Sequence, residues 1–174
     1  MLSIIGVIVV LAIAAVLAIA ATKPATFDIK RTTRIDAPPE KIFPLINDFH
    51  SWTRWSPYEK LDPNMTRSYS GAQSGVGAGY GWQGTRAGAG SMEITESTPS
   101  SKIVIDLKFT KPMQAHNTTV FTMEPEGGPT TVTWRMHGPN TFMSKVMSVF
   151  INMDQLLGKD FEAGLANLKA AAEQ

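Results

Sequence analysis

Few side chains in this sequence could do acid–base or metal chemistry, and they are scattered along the chain. The three histidines, His50, His116 and His137, have no spacing that would bring two of them to one metal ion, and cysteine is absent. General acid–base catalysis requires a titratable group within reach of a buried substrate, and only Glu93 and His116 are candidates. Each would serve only if a bulge reversed the facing of its strand. We therefore expect no catalytic residue, no metal and no cofactor, and keep an enzyme as an alternative.

Other motifs that would indicate a reaction or a polar ligand are missing from the sequence. The glycines from Gly75 to Gly81 alternate inside a predicted strand, whereas a phosphate-binding loop requires a turn before a helix. Glu93 and Glu96 fall on opposite faces of one predicted strand and so do not form a carboxylate pair. The 16 basic and 15 acidic side chains are interspersed, and a net charge of +1 offers no electrostatic footprint for nucleic acid. We expect no nucleic-acid partner.

The charged side chains all follow Thr22, which leaves an uncharged segment before it. Within residues 2–21 only Ser3 and Gly6 are not apolar. Twenty helical residues span about 30 Å, the thickness of the hydrocarbon core of a bilayer. The twelve Leu, Ile and Val residues contribute roughly −4 to −7 kcal/mol to insertion. We predict a single transmembrane helix over residues 1–22, a linker over 23–26 and one soluble domain over 27–174.

The residues around this apolar run predict its orientation. Lys23, Lys30, Arg31 and Arg34 follow it, so by the positive-inside rule the soluble domain faces the cytoplasm. The alternative is a secretory signal, because Ala18-Ile19-Ala20 resembles a cleavage site, and the domain would then be exported. The length of the apolar run and the lack of a basic region before it favour the anchor.

The period of the hydrophobic pattern divides the soluble domain into three parts. Residues 27–35 alternate as a half-buried strand, and residues 36–49 then show helical spacing. From residue 64 to 137 the period returns to two, which predicts a meander of strands at 64–70, 77–83, 87–97, 102–111, 114–125 and 130–137. The helical period then returns in two apolar stripes. The first contains Met143, Val146, Met147, Phe150 and Ile151, and the second runs from 157 to 168.

The glycines of the second and third meander strands leave the register of that hairpin open. A two-residue turn would bring two glycine strips together, whereas a three-residue loop places Trp82 opposite Gly88 and Tyr80 opposite Gly90. We prefer the three-residue loop, because register follows the pairing that puts apolar side chains together. Aromatic rings also fill the space that cross-strand glycines leave. Alternatively, these glycines serve only to let the sheet curve.

The order of these elements resembles a known superfamily. The chain is similar to START-like helix-grip proteins in having a first strand, the helix start Asp36-Ala37-Pro38-Pro39-Glu40-Lys41-Ile42-Phe43, the segment Trp52-Thr53-Arg54-Trp55-Ser56-Pro57, a six-strand meander and an amphipathic C-terminal helix. Residues 26–172 look like the bacterial polyketide cyclase/dehydrase and lipid-transport type, often called SRPBCC proteins. The resemblance implies an α+β fold, in which a curved antiparallel sheet of about seven strands wraps around a long C-terminal helix. It also implies an apolar cavity, in which many members bind lipids, sterols or polyketides and some catalyse reactions.

If the dry faces of the strands line that cavity, aromatic and thioether side chains form its wall. Such side chains suit an adaptable apolar site. Taken one at a time, core packing is the better interpretation of each, and the cavity rests on the resemblance. Asn117 is the one polar group expected to point inward. The predicted wall contains Trp52, Trp55, Tyr80, Trp82, Met92, Ile105, Leu107, Phe109, Asn117, Phe121, Trp134 and Met136, closed by Met147, Phe150 and Phe161.

Trp52 and Trp55 lie in a short turn that Asp48 can cap and Pro57 stops, which we consider too short to be deeply buried. They could form the mouth of the cavity, enter the bilayer interface, where Trp is favoured, or pack as a helix end.

These observations lead to one main hypothesis about function. We expect a membrane-anchored protein that binds a hydrophobic small molecule or lipid taken up beside the bilayer, with residues 2–21 as its contact with the membrane. One alternative is a cyclase/dehydrase-like or hydrolase-like enzyme that uses the same cavity. The other is a protein-interaction module at the membrane. The oligomeric state is left open.

Overall fold

A computed structural model describes residues 2–174 and shows one antiparallel sheet, with some of the helices against its inner face and two helices, the first and the one that follows the last strand, packed on each other. The helices are α1 (Leu2–Thr22), α2 (Pro39–Asn47), a 3₁₀ helix (Phe49–Arg54), α3 (Pro57–Leu61), α4 (Phe142–Phe150) and α5 (Met153–Ala172). The strands are β1 (Thr26–Ile35), β2 (Thr66–Gly71), β3 (Ala78–Gln83), β4 (Ala89–Thr98), β5 (Lys102–Lys111), β6 (Ala115–Pro125) and β7 (Thr130–Pro139).

The seven strands form a single curved layer that holds α5. Their order is β1-β7-β6-β5-β4-β3-β2, so the meander pairs in chain order and β1 joins its last strand. Side chains of β5 alternate as the sequence predicts: Ile103 and Ile105 are fully buried, whereas Lys108 points outward. Phe161 and Leu165 of α5 are buried against this inner face. The predicted α+β helix-grip architecture is confirmed.

Several strand ends and connections lie together at one end of the sheet. β1 begins there, three residues after α1, and Thr26 pairs with Pro139 at the end of β7. The pairing of neighbouring strands places the β5–β6 turn and the β3–β4 loop at this same end of the sheet. We call it the proximal end, because it is the end joined to α1.

The two tryptophans of the 3₁₀ segment lie in the core, and their indoles complete the end of α2. The indole N–H of Trp55 donates to the carbonyl of Leu45 at 2.8 Å, and that of Trp52 donates to Ile46 at 2.9 Å. These carbonyls belong to the last turn of α2, where carbonyl groups lack partners within the helix. Trp55 is fully buried and Trp52 is 5% exposed, so a position at the bilayer interface is wrong for both. Pro57 begins α3 instead of stopping the turn, because proline is well tolerated in the first turn of a helix.

The hairpin of β3 and β4 keeps the predicted faces but not the predicted register. Trp82 pairs with Gly90 and Tyr80 with Met92, so the partners are two residues further along than a three-residue loop would give. The loop has five residues because Gly88 adopts a positive φ of 68° and closes it, accepting at 2.7 Å from the N–H of Gly84. The ring of Trp82 still covers a glycine, since a Cβ on Gly90 would lie 2.5 Å from it.

A bulge in β4 corrects a second strand prediction. The pairing with β5 shifts between Ile94 and Glu96, which leaves Thr95 as the extra residue. Because the bulge adds one residue, Glu93 and Glu96 lie on the same outer face, contrary to the simple alternation. Lys102 donates to Glu96 at 3.0 Å, so that carboxylate is engaged in an exposed ion pair.

The N-terminal helix is the one described helix that is long and apolar enough to cross a membrane, over residues Ile4–Thr22. Most of its side chains are exposed, and its main packing neighbour is α4. Within residues 4–22 the exceptions are Val16, which is half-buried, and Ala20, which is buried one turn later on the same helical face. The contact with α4 therefore involves the last turns of α1.

Candidate functional site

An apolar chamber of about 220 Å³ lies between the inner face of the sheet, α3 and α5. Five strands contribute to it, from β3 to β7, together with the 3₁₀ segment and the β3–β4 loop. The lining residues are Trp52, Ser56, Tyr58, Glu59, Leu61, Met65, Tyr80, Trp82, Arg86, Ala87, Met92, Leu107, Phe109, Thr119, Trp134, Met136, Leu157 and Phe161. Its position between sheet and C-terminal helix is the one that the resemblance implied.

The structure brings nine of the fifteen expected wall residues together around this chamber. They are Trp52, Tyr80, Trp82, Met92, Leu107, Phe109, Trp134, Met136 and Phe161. Seven of the nine come from the strands, where period-two alternation was enough to predict which face each side chain occupies.

Four of the remaining six lie in the packed part of the core. Trp55, Ile105 and Phe121 have no exposed surface, and the Phe121 ring lies 5.0 Å from that of Trp134. Asn117 points inward as predicted, but its Oδ1 is buried, finds no hydrogen-bond partner within residues 2–174 and does not line the chamber. These side chains support the chamber wall from behind.

The last two, Met147 and Phe150, lie outside the chamber, which corrects the expectation that they close it. They belong to α4, which packs along α1 instead of the sheet. Phe150 is 73% exposed. The first apolar stripe forms a separate helix, as predicted, but only α5 returns to the sheet.

The size and composition of the lining limit what the chamber can hold. Drug-sized ligands occupy pockets of roughly 300–1,000 Å³, so a chamber of about 220 Å³ fits a smaller molecule or part of a chain. Met65, Met92 and Met136 line it, and flexible thioethers can repack around ligands of different shape. The chamber is therefore suited to an apolar group, with some capacity to enlarge.

One buried carboxylate is built into the wall. Glu59 has a side chain that is only 8% exposed, and its carboxylate accepts from Arg67 Nε at 2.6 Å and from the Tyr80 hydroxyl at 2.7 Å. Arg67 also donates to the carbonyl of Met65. The charge of Glu59 is therefore paired and hydrogen-bonded, which a buried carboxylate requires.

The two phenols beside Glu59 stay protonated. Burial raises the pKa of Tyr80, and the hydrogen bond to Glu59 raises it further. Burial also raises the pKa of Tyr58, with the charge of Asp160 as the next cause. Each phenol has one O–H group, and that of Tyr80 donates to Glu59 while that of Tyr58 donates to Asp160. The wall therefore offers a ligand an acceptor, the Glu59 carboxylate, within an otherwise apolar surface.

Glu59 was not predicted from the sequence. Its partners lie 8 and 21 residues away, and the turn that carries it was assigned to no element. A carboxylate at the second position after a helix-starting proline could have indicated the first turn of a helix. Nothing in the sequence pattern could have indicated that this turn faces the chamber.

The chamber reaches the surface at the proximal end, beside Leu61 and Arg86, which are both exposed. We call this opening the mouth. The loop that carries Arg86 is held by Asp62, whose carboxylate accepts from the backbone N–H groups of Arg86 at 2.8 Å and Ala87 at 3.3 Å. These hydrogen bonds, that of Arg86 first, hold the pKa of Asp62 below its usual value. The mouth is thus a structured loop fixed to the end of α3.

The two acid–base candidates from the sequence lie on the other side of the sheet. His116 is exposed and contacts Asp106, and Lys108 donates to Asp106 at 2.7 Å. The side chain of Glu93 is on the same outer face, opposite Asp106 in the neighbouring strand. The sheet separates all of these groups from the chamber, so they cannot reach a molecule bound inside it. Within residues 2–174, no three His, Asp or Glu side chains come together as a possible metal site.

The curved sheet, the gripping helix and the apolar chamber define the class of protein as a ligand-binding helix-grip fold. The chain belongs to the polyketide cyclase/dehydrase and lipid transport family, whose model matches residues 26–173. That match covers the sheet, the chamber and α5, and it begins after α1. A comparison with curated proteins gave no match.

Solved structures with the same fold come from several bacteria. Protein CV1439 from Chromobacterium violaceum is 15% identical with a TM-score of 0.60, over 87% of this chain and 99% of that one. A protein from Thermobifida fusca is 17% identical with a TM-score of 0.61, over 83% and 92%. DynU16, from the dynemicin biosynthetic locus, is 14% identical with a TM-score of 0.60, over 84% of this chain and 47% of that one. At such identities the likeness shows the fold.

Proposed function

We propose that this protein is a membrane-anchored carrier or receptor for a hydrophobic small molecule or lipid, which it holds in the chamber. The observation that carries the proposal is the chamber itself, because its walls are apolar and it opens at the proximal end of the sheet. Membership of a family described by cyclase, dehydrase and lipid-transport functions supports a ligand of this kind.

The polar wall suggests one feature of the ligand. Both oxygens of Glu59 accept hydrogen bonds, but each carboxylate oxygen has a second lone pair. A hydroxyl or amide on the ligand can therefore donate to Glu59, while the apolar part lies against the methionines and aromatic rings. We infer a ligand with one polar donor on a mostly apolar body.

The proposed anchor is residues 1–22, joined by the linker 23–26 to the domain 27–174. α1 has the length and apolar surface that a spanning helix needs, which supports this division. Lys23 and the basic residues of β1 support a cytoplasmic domain. Because the mouth lies at the end of the sheet joined to α1, ligand exchange beside the bilayer follows naturally.

The proposal is tested by filling the chamber. In Leu107→Trp the indole should occupy the empty volume, so we expect the protein to fold and to lose its ligand. Val104→Trp is the matched control, since Val104 lies on the outer face of the same strand. Native mass spectrometry of the full chain, purified from cells in mild detergent, would detect bound molecules in the parent and the control and none in Leu107→Trp.

Two results would contradict the proposal. One is a parent protein that carries no small molecule and is not stabilised by any member of a panel of fatty acids, sterols and phospholipids. The other is equal occupancy in Leu107→Trp and Val104→Trp, which would place the bound molecule outside the chamber.

A further inference from the structure

The exposed apolar side chains of the domain are concentrated on one short stretch. Phe142 is 55% exposed, Met143 57%, Phe150 73%, Ile151 42% and Leu156 52%. Four of the five lie in α4 or directly after it, and Leu156 lies in the first turn of α5. Soluble surfaces seldom expose large apolar residues as a contiguous patch, and such patches mark interaction sites. We refer to these five residues as the α4 patch.

α4 has the pattern of a helix that lies at an interface. Met143, Val146, Met147 and Phe150 recur at positions i, i+3, i+4 and i+7, so they form one face of the helix. Lys145 is its one charged residue. The stripe is covered only in part, because Val146 and Met147 are half-buried whereas both of its ends are exposed.

The position of α4 along α1 fixes its depth relative to a membrane. α4 is the main packing neighbour of α1, and the covered residues of α1 are Val16 and Ala20. At a rise of 1.5 Å per residue, these lie about 9 Å and 3 Å from the end of α1 at Thr22. A helix packed at that level lies within the outermost part of the hydrocarbon core and the headgroups.

We propose that the α4 patch inserts into the interfacial layer of the same bilayer that α1 spans, and that it fixes the domain on the membrane with its proximal end against the surface. The inference rests on the proposed membrane anchor. Interfacial helices bury their apolar face about 5–10 Å into the boundary between headgroups and acyl chains, which matches the level of Val16 and Ala20.

Lipid is a better occupant of this patch than a second copy of the chain. A stable dimer buries about 800 Å² on each partner, whereas α4 has nine residues and is about 14 Å long. The side chains at the level where α4 meets α1 are also surrounded by lipid in the anchored protein. A covering protein would have to displace that lipid first.

Site-directed spin labelling tests the proposal directly, because the chain contains no cysteine. Single variants Phe150→Cys, Ile13→Cys and Val76→Cys of the full chain are labelled with a nitroxide and placed in vesicles of phosphatidylcholine and phosphatidylglycerol. Collisions with oxygen and with a nickel chelate then give the depth of each label. Val76 is the matched control, because it is an apolar residue 60% exposed at the opposite end of the sheet.

We expect the label at position 13 deep in the bilayer, the label at 150 in the interfacial layer and the label at 76 in water. A label introduced by Met143→Cys should give the same result as the label at position 150, which guards against a local effect of one label.

The other outcomes contradict the proposal. If the label at position 13 is deep but the labels at 143 and 150 are as accessible to the nickel chelate as the label at 76, the α4 inference is wrong and the anchor stands. If the label at position 13 is also in water, both the proposed anchor and the α4 inference are wrong. Shielding at 150 accompanied by dipolar broadening would assign the patch to a second copy and would also overturn it.

Discussion

The Glu59 carboxylate is the residue on which the polar part of the chamber depends. It is almost fully buried, and it accepts hydrogen bonds from two side chains that come from different strands. Removing one donor leaves a buried charge with fewer partners, which costs more than losing a neutral hydrogen bond. The arrangement therefore also ties α3 to β2 and β3.

Tyr80→Phe is expected to lower the free energy of unfolding by about 1.5–3 kcal/mol, the usual range for a hydrogen bond to a charged group. Chemical denaturation of the full chain in detergent, followed by tryptophan fluorescence, measures this change. Tyr69→Phe is the control, since Tyr69 is exposed and stacks on His50. The expected change there is less than about 0.5 kcal/mol. Equal effects in the two variants would show that the hydroxyl of Tyr80 does not support Glu59.

For single residues, the sequence predicted which face of the sheet a side chain occupies better than how deeply that side chain is buried. Alternation placed Tyr80 and Leu107 on the inner face, where they line the chamber. It could not predict that Trp55 lies in the core, because that depends on hydrogen bonds from its indole to α2, ten residues earlier in the chain. Spacing along one strand carries no information about such contacts.

Among the elements, α5 approaches the sheet closely enough that glycine is required at one of its positions. A Cβ on Gly164 would lie 2.6 Å from the ring of Trp134 and 3.0 Å from Cδ of Pro57. Trp134 is held in the core, and Pro57 is fixed in the first turn of α3. By contrast, a Cβ on Gly158 would meet the guanidinium of Arg31, the far end of a flexible side chain.

We expect Gly164→Ala to destabilise the protein by about 1–3 kcal/mol, although alanine favours a helix by about 1 kcal/mol over glycine. Gly158→Ala should change stability by less than about 1 kcal/mol. Arg31 can move there, and its ion pairs to the exposed Asp154 and Glu162 contribute little. The midpoints of urea unfolding compare the two variants. A smaller loss of stability in Gly164→Ala than in Gly158→Ala would mean that α5 can shift away from Trp134.

The elements themselves were predicted well, and their connections were not. Period two located every meander strand, yet the β3–β4 loop is longer than expected, and its backbone is held by Asp62, more than twenty residues earlier. The bulge at Thr95 likewise changes the facing of Glu96 without any change in the sequence pattern. A register set by distant hydrogen bonds is not visible in local periodicity.

For the whole molecule, the anchor makes a simple prediction. If residues 1–22 remain as a membrane helix, the full chain should stay in the membrane fraction after an alkaline carbonate wash, and its intact mass should include them. A chain deleted for those residues should appear in the soluble fraction with the same near-ultraviolet circular dichroism. A mature mass that begins after Ala20 would instead support the exported alternative.

The overall architecture was predictable because order and periodicity are properties of the sequence, and the family match agrees with them. The position of α4 was not, since the two apolar stripes predict two helices but not which neighbour each helix packs against. An apolar stripe indicates that a helix needs a partner and does not identify that partner. Here the partner that α4 does contact is α1.

The short connection between α1 and β1 has a further consequence for how ligand could be delivered. Three residues separate Thr22 from Thr26, and even when fully extended this connection spans only about 14 Å between the two threonines. If α1 spans the membrane, a domain on such a tether stays beside that membrane and does not reach a second one. Any onward transfer would require a soluble acceptor that comes to this membrane, or an enzyme embedded beside it, and the rate of delivery would then depend on their encounter at its surface.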